Sequence, residues 1–321
     1  MSRGNYRTAQ ATTIVLEDSG STLVLHQEPW MLGARADAQG AEFRGALARA
    51  VRKAAAGHSD WIMLDTCHRV ELYGFGAMPE LDPTLRLMAG DMAVVHLLRV
   101  AAGLDSAIVG EDEVLHQVRV ALETALATRD LDTRLQRLFE TAIAAGRRAR
   151  RGRTAPGENL AVRAIDWLRQ KSSLASQSVL VVGAGRMGAA LARAASEAGA
   201  RLTIASRDSN RAHRLAKIYR ADSTDLSGAA DLAGETSAIA VALAGPWREL
   251  EPMPRQLPPL ADISAPPAIN AEVRARLNGG YLGIDDLYNH PGPVPPGYID
   301  VAERIVEANV LVYLNWLSNR R

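Results

Sequence analysis

The chain has 321 residues, 47% hydrophobic and 23% charged, and 37 basic against 36 acidic side chains leave a formal net charge of +1. Such a composition excludes a disordered or fibrous chain, and the length exceeds what one hydrophobic core usually organises, so two domains and an appended element are expected. One cysteine cannot close an internal disulfide, no run reaches the ~18 apolar residues of a membrane helix, and MSRGNYRTAQATT carries no apolar leader core, so a cytoplasmic protein is expected.

The first sixty residues hold an alternating apolar segment, STLVLHQ, and an amphipathic helix pattern, EFRGALARAVRKAAAG. WIMLD reads as a buried strand, and VELYGF as a second strand after a turn at Thr66 to Arg69. MAVVHLLRVAAGLDS, VRVALETALATRD and RLQRLFETAIAAGRRARR repeat apolar residues at three- and four-residue spacing, which predicts helices. The last of these ends in a basic run, Arg147, Arg148, Arg150, Arg151 and Arg153, suited either to phosphates or to the negative end of the helix dipole. Pro156 and Gly157 break the pattern, and AVRAIDWLRQ predicts a short helix beyond them. SVLVVGAGRMGAALARAASEAGA then reads as strand, glycine-rich turn and helix, with RLTIASR as the next strand, which opens a βαβ unit. SAIAVALAG, LADISA and GGYLGIDDL fit further parallel strands, and after PGPVPPG a last helix starts near Ile299. The expected fold class is α/β: an α+β N-terminal catalytic domain over 1–154, a linker helix over 155–176, a Rossmann-type domain over 177–292 and a C-terminal helix over 293–321.

In GAGRMG, Gly183 permits the tight turn, Gly185 lets a pyrophosphate approach the backbone and Gly188 allows close helix-to-strand packing. With Ala184, Arg186 and Met187 these residues are the expected dinucleotide turn, at a helix N-terminus with free N–H groups. The next strand ends in Ser206 and Arg207 rather than an acid, which suits a 2′-phosphate and predicts NADPH, although Asp208 follows directly. Cys67 is either a small buried hydrophobe or a reactive thiol whose pKa is lowered by Arg69 and His68. A thiolate coupled to a nicotinamide domain suggests attack on an activated acyl group, followed by hydride reduction of the thioester to an aldehyde.

DTCHRVELYG resembles the S-T-C-N-R-x-E-[IL]-Y signature of the glutamyl-tRNA reductase family, and HLLRVAAGLDSAIVGEDEVLHQVRVA resembles a second family motif. RLFETAIAAGRRAR, VVGAGRMG, ADISAPPAIN and GIDDL follow in the family's order. The resemblance implies NADPH-dependent reduction of glutamyl-tRNA to glutamate-1-semialdehyde in tetrapyrrole synthesis. Cys67 matches the nucleophile, and Thr66, His68 and Arg69 the substrate-binding turn, with the arginine suited to a carboxylate. Ser106, Glu111 and Gln117 match glutamyl-binding positions, with Asp112 and Glu113 between them. His96 matches a histidine needed for full activity, which its residue pattern alone leaves open as a catalytic group or a satisfied core residue. The implied partners are glutamyl-tRNA, contacted by Arg147, Arg148, Arg150 and Arg151, and glutamate-1-semialdehyde aminomutase.

Three departures stand out. His68 replaces asparagine after the cysteine, EDE replaces E-P-Q at 111–113, and the family's N-terminal motif is not recognisable in STLVLHQEPWMLGARADAQ. Two added acids would repel an anionic substrate unless they point away. IDVAERIVEANVLVYLNWLSNRR is similar to the start of the family's long spinal helix, which leaves the family's homodimer open. Alternatives are therefore a paralogue acting on another acyl donor and a non-catalytic regulatory homologue.

Overall fold

The structure, a computed structural model, describes residues 24–36, 38–54, 61–66, 68–79, 85–106, 108–151, 160–251, 256–277, 280–289, 294 and 296–320. Strands β1 (Val24–Arg35), β2 (Trp61–Asp65), β3 (Arg69–Ala77) and β4 (Arg86–Ala89) form an antiparallel sheet in the order β2-β3-β1-β4. Side chains alternate across it. Trp61, Val70 and Leu72 face α1 (Ala41–Ala54), while Ile62, Leu64, Tyr73 and Phe75 face α2 (Asp91–Ala102), α3 (Glu113–Thr128) and α4 (Thr133–Arg151). The same alternation places Arg69 and Glu71 on the α2 side, although both are charged and nearly fully buried.

Helix α5 (Leu160–Lys171), within the expected linker helix, buries Leu160, Ala164, Ile165 and Leu168 in the core of the second sheet. That sheet contains β5 (Ser178–Val182), β6 (Arg201–Ala205), β7 (Asp222–Thr224), β8 (Ala238–Val241), β9 (Leu260–Asp262) and β10 (Tyr281–Gly283). All its pairings are parallel, in the order β10-β9-β8-β5-β6-β7. Counted from β5 this is the 3-2-1-4-5-6 order of a Rossmann sheet. Helices α6 (Arg186–Glu197), α7 (Ser209–Tyr219), α8 (Leu226–Leu232) and α9 (Ala271–Arg276) cover its faces, and α10 (Ile284–Asn289) continues directly from β10.

The last helix, α11 (Tyr298–Ser318), returns to the first domain. Tyr298, Ala302, Val306, Val310, Tyr313 and Leu317, at helical spacing, pack into the core formed by α2 and α4. The Arg99 guanidinium bonds both Glu303 oxygens at 2.6 and 2.8 Å, and Tyr298 donates to the Ala102 carbonyl at 2.5 Å. Among the described residues no helix is long and apolar enough to cross a membrane.

Candidate active site

The turn between β2 and β3 is shaped by Thr66. Its hydroxyl accepts from the backbone N–H groups of His68 and Arg69, both at 3.2 Å, and its own N–H donates to the Arg69 carbonyl at 2.9 Å. Cys67 lies outside the described residues.

Arg69 is 2% exposed. Its Nη2 donates to the Asp105 carbonyl at 2.5 Å, whereas Nη1 makes no hydrogen bond and stands 3.5 Å from Glu71 Oε1. Glu71 is the hub beneath it, with Oε1 2.9 Å from His96 Nε2 and Oε2 accepting from Tyr73 at 2.8 Å. Burial by itself would raise the Glu71 carboxyl, but the charges of His96 and Arg69 and these bonds outweigh it and hold the pKa at about 2. Burial likewise disfavours charge on His96, yet Glu71 and Asp105 raise its pKa above the ordinary histidine value. His96 Nδ1 lies 3.5 Å from Asp105 Oδ2, so both ring nitrogens face carboxylates. Asp105 also accepts from Arg99 Nε at 3.1 Å, which with His96 offsets its burial and keeps its carboxyl well below the usual range.

Glu71, Tyr73, Asp105 and Arg99 were not picked out from the sequence as site residues. For the first two the signal was present: positions 69, 71 and 73 of a strand share one face.

Ser106 follows Asp105, and its buried hydroxyl sits beside Glu111 without a bond of standard geometry. Burial and then the charge of Glu113 push the Glu111 pKa up to about 7, against Arg69 and Arg150. Arg150 holds this loop in place: it donates to the carbonyls of Ala101, Gly146 and Glu111 and pairs with Asp112 at 3.2 Å. Its guanidinium is thus engaged inside the protein, whereas Arg147, Arg148 and Arg151 are exposed at the end of α4, with Arg148 donating to Asn309 at 3.4 Å. Glu113 pairs with Arg186 at 2.9 Å. Both added acids of EDE, Asp112 and Glu113, are therefore matched to arginines. Gln117, one turn further along α3, lines a cavity of about 710 Å³ between β2 and α3 together with Asp65, Glu113 and Arg186.

His68 is turned towards the second sheet. Its Nε2 is 3.3 Å from the Ile284 carbonyl, and burial, with Arg44 and Arg69 nearby, lowers its pKa to about 4, so the ring is neutral near pH 7.

The glycine-rich turn fits a dinucleotide. Gly183 has φ +118°, and a Cβ there would lie 2.1 Å from the Ala242 carbonyl oxygen; one at Gly188 would lie 1.8 Å from the Gly183 oxygen. At Gly185, by contrast, the space a Cβ would fill is open, directly over the N-terminus of α6. Ala184 and Met187 pack against the core beneath the turn, and Arg186 is exposed beside it. Ser206 and Arg207 follow β6, with Arg207 donating to the Pro246 carbonyl at 2.8 Å. Asp208 caps α7, accepting from Arg211 N at 3.0 Å and pairing with its guanidinium at 3.2 Å. Its carboxylate therefore has a local structural role.

Residues 32–152 match the family model of the glutamyl-tRNA reductase N-terminal domain, and residues 167–290 that of shikimate/quinate 5-dehydrogenase. The glutamyl-tRNA reductase 2 of Nocardioides sp. is 32% identical over 316 residues, covering 85% of this chain and 69% of that protein. The glutamyl-tRNA reductase of Thermus thermophilus is 30% identical over 282 residues, covering 81% and 72%. A solved structure of the glutamyl-tRNA reductase from Methanopyrus kandleri is 26% identical, covers 92% of this chain and 80% of that chain, and has a TM-score of 0.45. Both halves, in this order and with these relatives, lead to one conclusion: the chain belongs to the glutamyl-tRNA reductase family.

Proposed function

We propose that the protein reduces glutamyl-tRNA to glutamate-1-semialdehyde with NADPH, through a thioester on Cys67. The observation that carries this reading is Arg69, a nearly fully buried guanidinium whose Nη1 makes no hydrogen bond and stands 3.5 Å from Glu71, with its charge also felt by Glu111. A buried cation with an unused donor suits a carboxylate, here the side chain of the glutamyl group. Glu111, half-ionised near neutrality, suits its ammonium, and Gln117 lines the adjoining cavity.

In the reaction Cys67 Sγ bonds to the ester carbon and the bond to the terminal ribose breaks. The tRNA leaves with a free hydroxyl that has taken up the thiol proton. The chemistry a bound nicotinamide would supply is hydride donation to the thioester carbon, which would release the aldehyde and the Cys67 thiolate, and a proton from solvent would restore the thiol. Arg69 holds the acyl group, Glu71 and the Asp105 carbonyl hold Arg69, and His96 in turn bridges the Glu71 and Asp105 carboxylates. His96 is a positioning residue in this reading, since both of its nitrogens face carboxylates.

Gly183, Gly185 and Gly188 admit the pyrophosphate, and Arg207 with Ser206 suits a 2′-phosphate because Asp208 is engaged as a helix cap. Arg147, Arg148 and Arg151 are the candidates for tRNA phosphate contact. The domain division at 154, 176 and 292 belongs to the same proposal. Because Asp112 and Glu113 are both paired with arginines, the EDE sequence does not by itself argue for another acyl donor.

The test is to incubate the purified protein with glutamyl-tRNA and NADPH, trap the thioester and assay the semialdehyde, then repeat with Cys67→Ser. Aldehyde that depends on Cys67 is expected. Neither thioester nor aldehyde from any charged tRNA overturns the reading.

A further inference from the structure

Two of the positions at which this chain departs from the family motifs, His68 and Glu113, reach from the first domain to the second. The buried His68 ring places Nε2 3.3 Å from the carbonyl of Ile284, the first residue after β10. The same segment is gripped again by its next residue. Asp285 accepts from Ala41 N at 2.9 Å and from Arg44 Nη2 at 2.7 Å, and Arg44 is 2% exposed. Glu113, at the start of α3, meets Arg186 in the glycine-rich turn that follows β5.

β10 is an edge strand of the parallel sheet and β5 a central one, three places away. At a strand spacing near 4.8 Å the two fastenings lie about 14 Å apart across the sheet. Two contacts that far apart resist pivoting of the sheet better than one, and they add to the Arg274–Glu42 pair at 2.9 Å and the packing of Ala41 and Ile108 into the core of the second sheet. Asparagine at 68 is shorter than histidine and would leave the Ile284 carbonyl without this bond, and a neutral glutamine at 113 would reduce the ion pair with Arg186 to a weaker hydrogen bond.

We propose that His68 and Glu113 are positioning residues that fasten the nucleotide-binding sheet, at its edge and its centre, to the turn and helix of the acyl site. They thereby set the approach of hydride to the acyl carbon. The reaction they position is the one proposed above. His68 can act this way because its ring is neutral near pH 7, with one N–H for the Ile284 carbonyl. A protonated ring would add a third cation beside Arg44 and Arg69.

The test returns each position to the family residue, as His68→Asn, Glu113→Gln and the double variant, in the full chain. Hydrogen exchange of the free protein is read first. His68→Asn is expected to accelerate amide exchange at 284–287 and 36–44, and Glu113→Gln at the start of α3 and α6, with β5 and β6 unchanged. Single-turnover acylation of Cys67 by glutamyl-tRNA, followed by reduction on adding NADPH, is read second. The ratio of the reduction rate to the acylation rate is expected to fall on the order of tenfold in the double variant, since small misplacements of reacting atoms carry such penalties. Unchanged exchange, exchange that rises throughout the chain, or an unchanged ratio overturns the proposal. An unaltered protein that forms no thioester overturns the reaction instead, and exchange then decides the fastening alone.

Discussion

Glu71 serves three partners from a site without solvent: His96, Tyr73 and Arg69. Removing its charge leaves the buried Arg69 guanidinium under-compensated and takes the carboxylate from His96, so Glu71→Gln is expected to cost about 3–5 kcal/mol in urea unfolding. Tyr73→Phe removes one bond to a charged group and should cost less, about 1.5–3 kcal/mol. Glu111 is expected to give substrate binding its pH dependence. With a pKa near 7 it loses its charge as the pH falls below about 7, so KM for glutamyl-tRNA should rise there. Glu111→Gln should give a weak KM that no longer varies with pH through that window. A wild-type KM that is flat through the same window removes Glu111 as the ammonium partner.

At the scale of elements, the glycine-rich turn and the last helix make opposite demands. The turn tolerates no added atoms where strand and helix cross: in Gly188→Ala the methyl would sit 1.8 Å from the Gly183 oxygen. A destabilisation of about 1–3 kcal/mol from overpacking is expected, together with loss of dinucleotide binding by calorimetry. Helix α11 depends on filling a groove. Leu317 is 2% exposed against α2 and α4, while Leu311 is 62% exposed on the opposite side. Leu317→Ala should cost about 2–5 kcal/mol. Leu311→Ala should stay within about 0.5 kcal/mol of the parent. Equal effects would mean that α11 does not lie on this core.

For the molecule as a whole, His68 ties stability to pH at the junction of the two domains. Its folded pKa of about 4 lies below the ordinary 6.5, so between these values the unfolded chain binds more protons than the folded one. Stability from this group is present above 6.5 and is lost as the pH falls through 4. The urea midpoint of the wild type should therefore drop relative to that of His68→Asn as pH is lowered across this window. Parallel curves would show that the ring is not held neutral. Glu71 adds an acid limb further down, where its stabilisation is present above 4.5 and is lost as the pH falls towards 2.

Much of this could be read from short stretches of chain. GAGRMG between an apolar run and an alanine-rich helix specifies its turn locally, because positive φ and atom-close packing admit only glycine. Helical spacing located α2, α3, α4 and α11, and DTCHR between two apolar runs located the turn that Thr66 closes. Asp208 likewise finds its partner locally, as the cap of the helix that follows it. What no window of sequence contained was the partner of each buried charge. Asp112 and Glu113 looked repulsive until Arg150 and Arg186 were placed beside them, and Arg150 looked free for phosphate until it was found bonded to three carbonyls. His68 meets its carbonyl across 216 residues, and Arg44 meets Asp285 across 241. Backbone geometry is decided by neighbours within a few residues, whereas the state of a charge depends on its burial and on what stands across the gap, which only the folded chain supplies.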